Sequence, residues 1–322
     1  MADSQRKERH WLRLRTRREA LPFLLIVVLT ALFSFGAPRV LPFLTVFENW
    51  ADDLRTGLMS EPLPQDSNIV VLAITEQTLA LKELAVRSPI DRDWLAKQLQ
   101  AVVDAEALAV GIDILFDQAT ESARDDRLMA VLASSDIPIV TAWAGGKNGL
   151  SPAQTDYLAA FTANNPPGSI VLRLDAHDGI ARHVAGSNDQ GVPAFSRRLA
   201  AAAGIIGEKD DFRIAYRRNP GDGKPAIPVY PAEVASIMPA QWFAGKIILI
   251  GADLPNSDRY PTPLSVLYGA EEGTQASANT TPSDAATKVA TPRPRSPRRA
   301  PSPNSTPITQ SRMAPAKPST WP

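Results

Sequence analysis

The chain has 322 residues, with 34 Lys/Arg against 34 Asp/Glu and no cysteine. A formal net charge of zero leaves no global field to attract nucleic acid, and the lack of cysteine excludes disulfides, thiol catalysis and cysteine-ligated metal. The length is enough to bury one sizeable core or two modest ones.

The N-terminus is basic, with Arg6, Lys7, Arg9, Arg13, Arg15, Arg17 and Arg18 inside residues 1–19. An uncharged run follows from Ala20 to Pro38, nineteen positions that would span roughly 28 Å as a helix, close to the hydrocarbon thickness of a bilayer. Apolar character resumes through Val40–Phe47, with Trp50 as an interfacial residue. The pattern predicts one transmembrane anchor over residues 20–47, the basic segment in the cytoplasm and the rest of the chain outside. A cleaved signal peptide is the competing reading, but SFGAP offers a poor cleavage site with Pro38 badly placed.

Residues 51–63 read as a juxtamembrane helix with Asp52, Asp53 and Arg55 on its polar side, ended by Pro62 and Pro64. Asn68 opens a buried strand, IVVLAI. Pro89 breaks what precedes it, Asp91 is a suitable helix N-cap, and Asp93 complements the helix dipole. Trp94, Leu95, Leu99, Val102 and Val103 recur at near-helical spacing, and LAVGIDILF then reads as a strand covered on both faces. Further elements are a helix over Arg124–Ser134, a strand over 137–143, a short helix near Asp156–Ala163 and a strand over 169–174. Then come a helix over Phe195–Ala203, a strand over 212–217, a turn at Asn219–Gly223, IPVYPAEV and a last strand over 246–252. Strands alternating with helices predict an α/β domain over residues 51–272, with a single mainly parallel or mixed sheet flanked by helices.

Chemistry-bearing residues are sparse. The three histidines, His10, His177 and His183, are not spaced as a metal site, and no nucleotide-binding or nucleophile fingerprint is present. No cofactor or metal is expected. Ligands of open α/β sheets gather at the carboxyl ends of strands, so Asp113 and Asp117 are the first site candidates. A phosphohydrolase using them would also need a general acid and Mg²⁺ ligands from other loops; a loop-ordering role for Asp113 is the simpler expectation. Asp91 and Arg92 are explained by capping and an ion pair, and Asp258 and Arg259 by the turn before Pro261. Arg173 and Arg182 are expected at the surface, with an anion-binding role as the alternative. The same strand-end logic makes the convergence of Glu76, Arg92, Asp113 and Arg259 the speculative ligand site.

Six pieces stand in order along the chain: Ile74-Thr75-Glu76, Pro89-x-Asp91-Arg92, Gly111-x-Asp113-x-x-Phe116, Asp126 for an Asp-x-x-Leu pattern, then Asp175, Asp178, Gly179 and Arg182, and last residues 243–264. Together they resemble the CHASE type-2 (CHASE2) domain, an extracellular sensory module of bacterial receptors. Thr75 departs from the aspartate usual there. The resemblance implies a non-enzymatic sensory input module that responds to an unknown small molecule or mechanical state. A homodimer is expected, and in the scaffold reading below the juxtamembrane helix 51–58 pairs across a two-fold axis. The alternatives are an Asp-dependent extracytoplasmic hydrolase and a non-catalytic dimerisation scaffold. In the family, the closing turn leads to further membrane helices and a cytoplasmic output domain. Here residues 274–322 hold ten prolines, seven Lys/Arg and one acidic residue, Asp284. Such a segment is expected to be disordered. It reads as an out-of-frame product of a truncated receptor gene, with an interaction tail as the other reading.

Overall fold

Strand β1 (Ile69–Ile74) consists of six apolar residues, all buried, because both faces of the sheet around it are covered. It belongs to a computed structural model that describes residues 22–34, 42–84, 88–184, 186–207, 211–254, 259–268 and 275–276. Six strands form one parallel sheet: β1, β2 (Ala109–Asp113), β3 (Ile139–Trp143), β4 (Pro167–Ser169), β8 (Val229–Pro231) and β9 (Ile247–Ala252). Their order is β4-β3-β2-β9-β1-β8, so the last long strand inserts between the first two. The pairing aligns Ile74 with Ala252 and Asp113 with Gly251, which brings the carboxyl ends of β1, β2 and β9 side by side.

Alternate residues of the strands serve two apolar layers, as the two-residue period of a strand requires. Val70, Leu72, Val110, Ile112, Ile248 and Ile250 meet the buried faces of α4 (Arg92–Asp104), α5 (Ser122–Ser134) and α6 (Pro152–Phe161). Val71, Ala109, Val140 and Leu249 meet Leu199 and Phe195 of α7 (Phe195–Ala202) on the opposite face. Helix α7 can approach because the strands carry glycine there. A Cβ on Gly168 would lie 2.6 Å from Phe195 Cα, and one on Gly111 would lie 2.8 Å from Leu199 Cδ2.

The helix starts follow local chemistry. Asp91 caps α4 by accepting from the Asp93 and Trp94 amides at 2.9 and 3.0 Å. Ser151 caps α6 in a reciprocal box with Gln154, and Pro152 occupies the first helical position. Helices α4 and α5 are further tied on the outside by Arg124–Asp91 and Arg127–Asp93 ion pairs.

The architecture is mixed α/β as expected, but several boundaries shift. The predicted strand over 169–174 divides between β4 of the large sheet and β5 (Arg173–Leu174) of a second, antiparallel sheet. That sheet has the order β5-β6-β7, with β6 (Ala181–Val184) in the middle and β7 (Phe212–Arg213) covering only the first two residues of the predicted strand 212–217. Two residues of β10 (Arg259–Tyr260) pair with β11 (Gln275–Ala276), and α8 (Pro263–Tyr268) lies between them.

Before β1, residues 22–34 form helix α1 and Pro42–Met59 form helix α2. Helix α2 therefore starts well before the juxtamembrane helix expected at residue 51. The apolar side chains of α1, including Phe23, Ile26, Leu29 and Phe33, are exposed. Among the described residues, no helix is long and apolar enough to cross a membrane. Residues 1–21 and 35–41, which hold the basic segment and part of the expected anchor 20–47, lie outside the described residues. So does residue 258 and, apart from 275–276, everything after residue 268.

Candidate functional site

The four residues expected to converge have different placements. Glu76 is exposed at the start of the short helix α3 (Glu76–Leu79), just past β1, where Thr75 caps the turn by accepting from the Thr78 amide. Asp113 is the half-buried last residue of β2. The sheet register puts these two at one edge, together with Asp253, whose amide donates to Ile74 O at 3.0 Å. Arg259 opens β10 by backbone pairing with Ala276. Asp117 accepts from Gln154 Nε2 at 2.7 Å, which ties the loop after β2 to α6.

Arg92 points into the core. It is 1 % exposed and lies over the Phe116 and Phe161 rings at 4.7 and 5.6 Å. Its Nε is 3.5 Å from Asp125 Oδ1, too long for a good hydrogen bond but close enough for an ion pair. Burial lowers the Arg92 pKa against the pull of Asp125, Tyr157 and Asp117. Asp125 is held by the Thr120 amide at 2.9 Å, Thr120 Oγ1 at 2.6 Å and Tyr157 Oη at 3.0 Å. Burial alone would raise its pKa, but these donors and Arg92 keep it below the ordinary carboxylate range. Burial and the bond to Asp125 push Tyr157 up to about 12. The expected capping and ion-pair roles of Asp91 and Arg92 hold. The aspartate of the Asp-x-x-Leu pattern is Asp125 with buried Leu128, one residue before the expected Asp126.

A second charged cluster joins helix α2 to the antiparallel sheet. Arg182, in β6, is 3 % exposed and Asp53, in α2, is 4 % exposed. Arg182 Nε donates to both Asp53 oxygens at 3.1 Å, and Nη2 donates to Asp53 Oδ2 at 2.6 Å. The other side of the guanidinium is held by Asp178 at 2.9 and 2.6 Å and by Asp175 at 3.1 Å. Arg213 of β7 reaches Asp53 at 2.7 Å and Asp52 at 3.5 Å, and Asn49 Nδ2 donates to Asp175 at 2.8 Å. Burial disfavours the Arg182 cation, but the bonds to Asp178 and Asp53 outweigh it and raise its pKa. The bond from Arg182 depresses the Asp178 pKa.

This geometry corrects two expectations. Asp53 is not on the outer polar face of the juxtamembrane helix; it is that helix's buried attachment point. Arg182 is not a surface or anion-receiving residue, since carboxylates already surround its guanidinium, and Arg173 pairs at the surface with Asp211. The Asp175–Asp178–Gly179–Arg182 element is a clamp for α2. Gly179 serves it with a φ of 71°, which lets the turn bring both aspartates back to Arg182.

The end of α2 is held as well. Tyr268 Oη of α8 donates to Gly57 O at 2.6 Å, and a Cβ on Gly57 would fall 2.0 Å from Leu267 Cδ1. The Arg218 guanidinium stacks over Tyr268 at 4.5 Å and donates to Ser60 O at 3.4 Å. Sequence reasoning missed the anchoring role of Asn49, Asp53 and Gly57. Their common four-residue spacing, which stacks them on one helix face, is the signal that would have found it. The cluster fastens the helix to the domain; among the described residues no group of histidine and carboxylate side chains is arranged for a metal ion.

A family model described as CHASE2 domain matches residues 24–300, most of the chain. CHASE2 domains are sensory and non-catalytic, and are typically extracellular parts of membrane receptors. No curated protein and no solved structure matches the chain.

Proposed function

The chain belongs to the CHASE2 domain family, and from that premise we propose that it is the extracytoplasmic sensory input module of a membrane signal-transduction receptor. The apolar segment 20–47 holds it in the membrane with the basic N-terminus in the cytoplasm. The observation that carries this reading is the buried fastening of α2 by Arg182 and Asp53. A helix that follows an apolar, basic-flanked segment and is locked into the domain core by charge is suited to carry a domain rearrangement toward the membrane. The exposed apolar side chains of α1 support the anchor, since such a surface has no stable place in water. The stimulus, a small molecule or a mechanical state, acts at the carboxyl edge of β1, β2 and β9. Glu76 and Asp113 sit at this edge, Arg259 follows from β10, and Arg92 supports the core behind it.

The lack of cysteine makes the topology directly testable. Full-length Lys97→Cys, on the exposed face of α4, should react with a membrane-impermeant maleimide in intact bacterial cells. Ser4→Cys should react only after lysis. The reverse pattern, or equal labelling of both, rules out the proposed orientation.

A further inference from the structure

Arg92 holds more hydrogen-bonding capacity than its surroundings use. Its side chain is 1 % exposed, yet Nε, Nη1 and Nη2 have no hydrogen-bond partner among the described residues. Its ion-pair partner Asp125 already accepts from the Thr120 amide, Thr120 Oγ1 and Tyr157 Oη, so little of that carboxylate's capacity is left for the guanidinium. A buried charge without hydrogen bonds is costly, and native cores rarely tolerate one. Thr141 Oγ1, in β3, is a second buried polar atom with no partner among the described residues. Ile139, two positions earlier, packs in the layer of α4–α6, so the strand period turns Thr141 toward that layer too.

We propose that the Arg92 guanidinium is the recognition group for a small organic monocarboxylate, which it holds through parallel N–H···O bonds. Three features select this class. The planar fork of an arginine matches the two oxygens of a carboxylate, and here the whole fork is unspent. The Phe116 and Phe161 rings, 4.7 and 5.6 Å from the guanidinium, offer the apolar part of such a molecule a surface. Charge sets the limit of one carboxylate. Burial outweighs the attraction of Asp125, Tyr157 and Asp117 for the Arg92 cation, so one further negative charge is favourable. A dianion such as phosphate would bring a surplus beside the two aspartates.

Phe116, Leu158 and Phe161 are buried around the site, which restricts the ligand to a small one and requires an opening step. Phe116 and Asp117 belong to the loop over residues 114–121, between β2 and α5. The Gln154–Asp117 bond fastens this loop to α6, and the Thr120–Asp125 bonds fasten it to α5. The ligand enters as the loop lifts, and its greater affinity for one loop position shifts the population of that state. The inference rests on the reading that the stimulus is a small molecule at the carboxyl edge of the sheet, and it names the class of that molecule.

Thermal unfolding of the full-length chain in non-ionic detergent tests it. The probes are sodium formate, acetate, propionate, lactate and benzoate, each against sodium chloride at equal ionic strength. At least one carboxylate should raise the midpoint by roughly 5–10 °C when present at about a hundred times its dissociation constant. Its primary amide, close in shape but uncharged, should not. Arg92→Lys keeps the cation and loses the fork, and should weaken binding of that probe about tenfold or more. No rise with any of the probes, an equal rise with the amide or with sodium sulfate, or undiminished affinity in Arg92→Lys overturns the proposal. The comparison of acid with amide uses the unaltered chain, so it decides the matter even where Arg92→Lys does not fold. The Lys97→Cys labelling reports the orientation separately, so failure of this site and failure of the membrane reading are distinguishable.

Discussion

Asp53 in helix α2 and Arg182 in strand β6 stand 129 positions apart in the chain and meet at 2.6 Å in a site almost closed to solvent. Two further carboxylates and a second arginine complete the cluster, so neither charge is left uncompensated.

Removing the central cation should expose that dependence. Arg182→Met leaves Asp53 buried with Arg213 alone, and breaking a buried pair from one side costs about 3–5 kcal/mol. Chemical denaturation should show a loss of that order, whereas Arg173→Met, at an exposed pair, should stay within about 1 kcal/mol of the parent. Equal effects at the two arginines would contradict the anchoring role.

Acid should loosen the domain through the same groups. Asp178 and Asp125 both have folded pKa values below the ordinary carboxylate value, while the unfolded chain titrates at about 3.9. Depressed values favour the folded state when the groups are ionised. The contribution is complete above the unfolded pKa and disappears as pH falls through the lowered folded values. The denaturation midpoint should therefore be level for these groups above about pH 5 and fall below about pH 4. In Asp178→Asn the fall should be shallower.

The Arg92–Asp125 pair lends itself to a double-mutant cycle. Asp125→Ala alone strands the Arg92 cation between two phenylalanine rings and should cost about 3–5 kcal/mol. Adding Arg92→Met removes the stranded charge and should recover a substantial part of that loss. Strict additivity of the two changes would mean that the charges do not interact.

Gly168→Ala should destabilise the second face of the sheet. The added methyl meets a backbone atom, Phe195 Cα, which cannot swing aside, and overpacking of this kind costs about 1–3 kcal/mol. At Gly57 the obstacle is the tip of the partly exposed Leu267 side chain. Gly57→Ala should thus be milder, and thermal melts of the two variants should rank them in that order.

The long buried strands and the α4 N-terminus were legible in the sequence because local pattern determines them. IVVLAI is apolar throughout, and Asp91 precedes a helical stripe whose buried members include Trp94, Leu95, Leu99 and Val102. Of the short antiparallel strands, β6 was not read at all and β5 and β7 were read only as parts of longer strands, since their two residues each exist through pairing with β6. Asp53 and Arg182 were misread for a related reason. A charged residue in isolation reads as a surface residue, and only the return of the chain 129 positions later supplies the partner that makes burial tolerable. Asp125 was legible beside Asp126, because Leu128 stands three positions after the first and Met129 three after the second; its contact with Arg92 is supplied by packing. The carboxyl edge was legible as an edge, because Glu76 follows one strong strand and Asp113 ends another.

The adjacency of β1 and β9 has a mechanical consequence. The two strands run parallel over six aligned residue pairs, β1 entered from α2 and β9 leading toward α8. A pull that drew α2 and α8 apart would first open the Tyr268–Gly57 contact. It would then load the start of β1 against the end of β9. Evenly spaced bonds stretched from opposite ends share the force together instead of parting one after another. The sheet would resist as a lap joint while the two helices moved, so tension would reach the α2–α8 contact long before it reached the core.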